Sequence, residues 1–91
     1  MTVTIGPVET FPNRIPDKAQ LLKITEEACE VYSAWEDWFD SPHQMECDHL
    51  LDELADVILA TCNFIAALGI DEFGPYMERC RRRNEKRGRY S

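Results

Sequence analysis

Long apolar runs are missing from this sequence. The longest, Val57 to Leu68, is broken by Thr61 and Asn63 and falls short of the ~18 residues of a membrane span. No membrane segment is therefore expected. The first residues, MTVTIGPVETFP, lack the basic start and apolar stretch of a secretion signal, and a cytoplasmic location is the expectation that follows. Closely spaced cysteines are missing too: Cys29, Cys47, Cys62 and Cys80 lie 18, 15 and 18 residues apart with no CxxC pair. Such spacing argues against structural zinc, and without a secretion signal the four read as reduced, partly buried thiols. Repeats and low-complexity segments are absent. Bases are scarce over most of the chain: residues 1–78 hold 16 acids against 3 bases. A body so acidic repels nucleic acid and attracts metal cations.

What is present fits one small folded domain. Ninety-one residues suffice for no more than one, and a hydrophobic share of 44% is that of a globular protein. The bases are concentrated at the end, where residues 79–91 carry seven against the single acid Glu85. Seven exceed the two or three that would complement a helix dipole, and such a segment can draw in phosphates.

Residues 1–15 show no helical period and read as an extended arm; residues 16–91 read as a helical domain. Pro16 suits a helix's first turn and Asp17 adds an early negative charge. Leu21, Ile24, Ala28, Val31, Trp35 and Trp38 then follow a 3-4-3-4-3 spacing that predicts an amphipathic helix, ending near Phe39 or Asp40 before the Ser41-Pro42 break. A second helix is expected from Met45–Asp48 to Gly69, a good C-terminal residue. A third begins near Asp71 or Pro75 and runs towards Arg87. The expected fold is all-α, an antiparallel helical bundle.

The chemistry lies in Glu26-Glu27-Ala28-Cys29-Glu30 on the first helix and Glu53-Leu54-Ala55-Asp56 on the second. At about 100° per residue, Glu27 and Glu30 border the first helix's apolar stripe, and Glu53 and Asp56 border the second's. Each helix thus offers an i,i+3 carboxylate pair at the margin of its core face. Packing the stripes together makes the pairs converge. Clustered carboxylates repel unless a cation joins them, and all-oxygen ligands select Mg²⁺, or Mn²⁺ in its place. Mg²⁺ usually bridges carboxylates to substrate phosphates, so phosphate chemistry is expected. The bland alternative is a solvated acidic face; two pairs, each on a core margin, argue against it.

These motifs resemble those of the MazG-like all-α nucleotide pyrophosphohydrolases. The EExxE and ExxD pattern appears as Glu26-Glu27-x-x-Glu30 and Glu53-x-x-Asp56, preceded by Lys23-Ile24-Thr25. Gly69-Ile70-Asp71 and Arg81-x-x-Asn84-x-x-Arg87-Gly88 follow in family order, so that the resemblance covers residues 17–89. It implies hydrolysis of a (deoxy)nucleoside triphosphate to monophosphate and pyrophosphate. Position by position it makes Glu27, Glu30, Glu53 and Asp56 the Mg²⁺ ligands, with Glu26 and Glu27 catalytic, Glu26 orienting the attacking water. Lys23, Arg83, Asn84, Lys86 and Arg87 would hold phosphates. Trp38 is the preferred stacking residue for the base over Tyr32 and over Trp35, which is expected in the core; Asn63 would hydrogen-bond base or sugar. Related folds complete a four-helix arrangement with a neighbour, so a homodimer or a tetramer built from dimers is expected, the arm and the Arg-rich end crossing onto the partner.

Three other readings compete. Phosphoribosyl-ATP pyrophosphohydrolases share the acidic architecture. A carboxylate-bridged diiron protein would use Glu46-x-x-His49, but leaves the EExxE motif and the basic end idle. A non-enzymatic helical dimerisation module explains the charge distribution, but not why four acids border core stripes.

Overall fold

The computed structural model describes all residues 1–91 and contains three helices and no strand: α1 (Lys18–Asp40), α2 (Gln44–Ala67) and α3 (Gly74–Lys86). The chain is all-α, as its periodicity predicts. No helix is long and apolar enough to cross a membrane.

Local chemistry sets each boundary. Asp17 is the N-cap of α1, its carboxylate accepting the Gln20 N–H at 2.9 Å, which satisfies one of the helix's free donors. At the far end the Ser41 N–H bonds the Asp37 carbonyl at 3.0 Å, and a three-residue link turns the chain back into α2. The end of α2 is a Schellman turn. Gly69, at φ 81°, donates to the Ala66 carbonyl, and Ile70 donates to that of Ile65; only glycine takes this left-handed conformation without strain. Pro75 then sits in the first turn of α3, where its missing N–H costs nothing.

The α1–α2 hairpin is the only packed helix pair. No Cα of α3 lies within 8 Å of one in α1 or α2, so within one chain α3 does not join a three-helix bundle. Beyond the Schellman turn, residues 70–73 carry it off the hairpin. The radius of gyration is 15.4 Å, against about 12 Å for a compact chain of this length.

The hairpin interface also differs from the predicted stripe. Along α1 the least exposed positions are Gln20, Ile24, Glu27, Val31, Ala34 and Trp38, a 4-3-4-3-4 line. Glu27 and Ala34 stand on it where Ala28 and Trp35 were expected. Ala34 is 1% exposed, whereas Trp35 is 40% exposed and stacks on Phe39 with ring centroids 5.1 Å apart. That corrects its assignment to the core. On α2 the inward line includes Leu50, Glu53, Val57, Ala60 and Asn63, while Leu51 and Leu54 face outward. Only four residues are buried, and two of them, Glu27 and Asn63, are polar.

All four cysteines are free thiols; Cys29 is exposed and the others are half-buried.

Candidate metal centre

At mid-hairpin, Glu27 and Glu30 of α1 meet Glu53 of α2. One oxygen from each lies within 4.8 Å of the other two. The antiparallel hairpin brings them to one level, and small Ala34 and Ala60 let the helices approach on either side. Glu27 is 9% exposed, Glu53 half-buried and Glu30 exposed. Burial matters most at Glu53, whose Oε2 is shut off from solvent with no hydrogen-bond partner. An unmet buried acceptor of this kind costs about 1–3 kcal/mol.

The cluster's electrostatics follow from its crowding. The Glu30 carboxyl is pushed above its ordinary value of 4.5, first by the negative charge of Glu27 and a hydrogen bond with it, then by lost hydration, then by Glu53. Lys23 offsets part of the excess charge. Its Nζ lies 3.1 Å from Glu27 Oε1 and 3.6 Å from Glu26 Oε2, and these contacts, that with Glu27 foremost, raise the ammonium above its usual 10.5. A donor set made only of carboxylate oxygens, one of them orphaned, fits a hard divalent cation.

Asp56, the fourth expected ligand, is exposed and lies outside the three-carboxylate cluster. It lines an adjoining cleft of about 320 Å³ together with Phe11, Arg14, Lys23, Glu27 and Asn63. Here residues of the N-terminal arm lie against the hairpin of their own chain. The Phe11 N–H donates to Asn63 Oδ1 at 2.8 Å, which gives Asn63 a structural partner. Pro12 and Asn13 form a turn, with Asn13 at φ 59°, a conformation Asn tolerates better than most residues. The Arg14 guanidinium sits 5.2 Å from the Phe11 ring centroid. Phe11 and Arg14 were missed in the sequence, where an aperiodic arm offers only a Pro-Asn turn signal between an aromatic and a base.

The remaining expected site residues stand apart. Arg83, Asn84, Lys86 and Arg87 lie in or at the end of α3 and do not line this cleft. Asn84 is engaged locally, donating to the Cys80 carbonyl at 2.9 Å and accepting from Arg89 at 2.6 Å. A single chain therefore does not join the basic end to the carboxylates. Trp38 is half-buried near the end of α1 and also lies outside the cleft. Of the diiron motif, His49 Nε2 is 3.8 Å from Glu53 Oε1 with its side chain more than half exposed, and Glu46 is not in the cluster, although its Oε2 is also buried without a partner.

Compared with known proteins, the chain matches no family model, no curated protein and no solved structure.

Proposed function

We propose that this chain is a subunit of a Mg²⁺-dependent nucleotide pyrophosphohydrolase. It would hydrolyse a (deoxy)nucleoside triphosphate between the α- and β-phosphates to monophosphate and pyrophosphate. One observation carries the reading: Glu27 of α1 and Glu53 of α2 turn inward and gather with the exposed Glu30 at the hairpin's edge, while Leu51 and Leu54 of α2 turn outward. A fold that points carboxylates in and leucines out loses stability unless the acids have a ligand.

In this reading Glu27, Glu30 and Glu53 hold the cation, and Asp56 serves from the cleft wall. Bound there, Mg²⁺ would supply polarisation of the α-phosphate and a more acidic water. Glu26, with a solvent-exposed side chain beside Lys23, orients that water and accepts its proton as the bond to the leaving pyrophosphate breaks. Lys23, the cation nearest the cluster, neutralises phosphate oxygens.

A second copy of the chain completes the molecule. The accessible surface is 7479 Å², roughly 2,000 Å² more than a compact protein of this mass exposes. That excess is the size of an obligate interface, and the outward Leu51, Leu54, Trp35 and Phe39 are suited to fill one. α3, unattached in its own chain, then brings Arg83, Asn84, Lys86 and Arg87 towards the partner's carboxylates.

The test is to incubate the protein with a panel of NTPs and dNTPs in Mg²⁺ and separate the products by anion exchange. Monophosphate plus pyrophosphate, lost in Glu53→Ala with helicity retained, is the expected result. Diphosphate plus orthophosphate would overturn the assignment of the cleaved bond. No turnover of any nucleotide would overturn the triphosphate reading and leave phosphoribosyl-ATP as the next substrate to try.

A further inference from the structure

The arm carries a feature that the carboxylate chemistry does not require. Residues 1–78 contain only three bases, Arg14, Lys18 and Lys23, and two of these, Arg14 and Lys23, line the one cleft that adjoins Glu27. Lys23 is engaged by Glu26 and Glu27. Arg14 is not engaged: it forms no ion pair with any carboxylate, although 16 acids lie in the same stretch. A guanidinium left free in so acidic a chain has its donors available for an anion.

Its position is also restrained. The latch from the Phe11 N–H to Asn63 Oδ1 ties the arm to α2 through an amide that is itself 7% exposed. The Phe11 ring in turn lies under the guanidinium, a cation–π contact that limits where the charge can go. Glu27 of α1 and Asp56 of α2 line the same cleft. One cleft thus holds both cluster-side acids and a guanidinium restrained by the arm.

We propose that the arm is a phosphate clamp acting within its own chain. Arg14 binds the phosphate oxygens that leave as pyrophosphate, and Asn63 is a positioning residue that holds Arg14 in place through the Phe11 backbone. The clamp rests on the polyphosphate chemistry proposed above and differs from the α3 cations, which line no part of this cleft.

The experiment titrates the full chain with pyrophosphate in Mg²⁺ by calorimetry and measures KM and kcat for the triphosphate in parallel. Arg14 lies outside every helix, so Arg14→Ala should leave the circular dichroism unchanged. Its pyrophosphate Kd and its KM should rise tenfold or more, about the value of a charge-assisted hydrogen bond, with kcat changed far less. Arg14→Lys should recover part of the loss. Asn63→Ala should weaken binding alone but add little to Arg14→Ala, because both act through one guanidinium. Binding by Arg14→Ala within twofold of wild type overturns the clamp, as does a wild type that binds no pyrophosphate. Arg14-dependent binding without triphosphate cleavage would sink the hydrolase and leave the clamp standing. Cleavage indifferent to Arg14 would do the reverse.

Discussion

Adding Mg²⁺ should raise the melting temperature of this protein, and the size of the rise can be worked out. Three carboxylates share a space of 4.8 Å and one of their buried oxygens has no partner; under the proposed reading the folded chain binds a divalent cation there and the unfolded chain, its acids dispersed, does not. At a cation concentration tenfold above Kd, linkage gives about 1.4 kcal/mol. Unfolding entropy for a chain of 91 residues is about 190 cal/mol/K. The quotient is a rise of about 7 °C. The assay is a thermal melt at fixed protein concentration, with NaCl at matched ionic strength to separate binding from screening. Glu53→Gln, which keeps the side chain's volume and removes its charge, should abolish the rise and melt at or above wild type without metal. An equal rise in both proteins, or none in wild type, would refute the view that these acids form a cation site.

Other outcomes follow from single features. Because the Glu30 carboxyl is raised above 4.5 by its neighbours, its stabilising contribution is complete below 4.5 and is lost as pH climbs through the higher folded value. The metal-free protein should lose melting temperature over that window, less steeply in Glu30→Gln, and Mg²⁺ should offset the loss. Gly69→Ala forces a side chain into φ 81° and should cost about 1 kcal/mol, seen as a melt near 5 °C lower with the metal response intact. Size-exclusion chromatography with light scattering should give a dimer or larger, and Leu51→Glu with Leu54→Glu should shift it towards monomer; a monomeric wild type would count against a completing second copy.

The helices were legible because their ends are local events. Asp17, the Ser41-Pro42 break, Gly69 and Pro75 each act through their own backbone within a few residues, and the ends fall within one or two residues of expectation. The carboxylates were legible for a related reason: i,i+3 spacing fixes which acids share a helix face. Periodicity does not say what covers a face. It placed Trp35 inside and Glu27 at the margin, whereas the hairpin buries Ala34 and Glu27, since only a small residue allows close approach of the helices. Asp56 shows the limit of spacing, one turn from Glu53 yet on the cleft wall outside the cluster. The latch between Phe11 and Asn63 left no pattern at all. It spans 52 positions and rests on one bond from a segment with no period.

The three-residue link between α1 and α2 also sets the order of assembly. Hairpin contacts start from neighbours in sequence, so the loop-closure entropy they cost is small, and low-contact-order helical structure forms in microseconds to milliseconds. Glu27, Glu30 and Glu53 are thereby gathered in a unimolecular step. The proposed meeting with a second copy is a concentration-dependent encounter and would come later. In the proposed assembly the newborn hairpin carries its crowded charge alone through that interval, so cations bound there would act in folding before they act in the proposed catalysis.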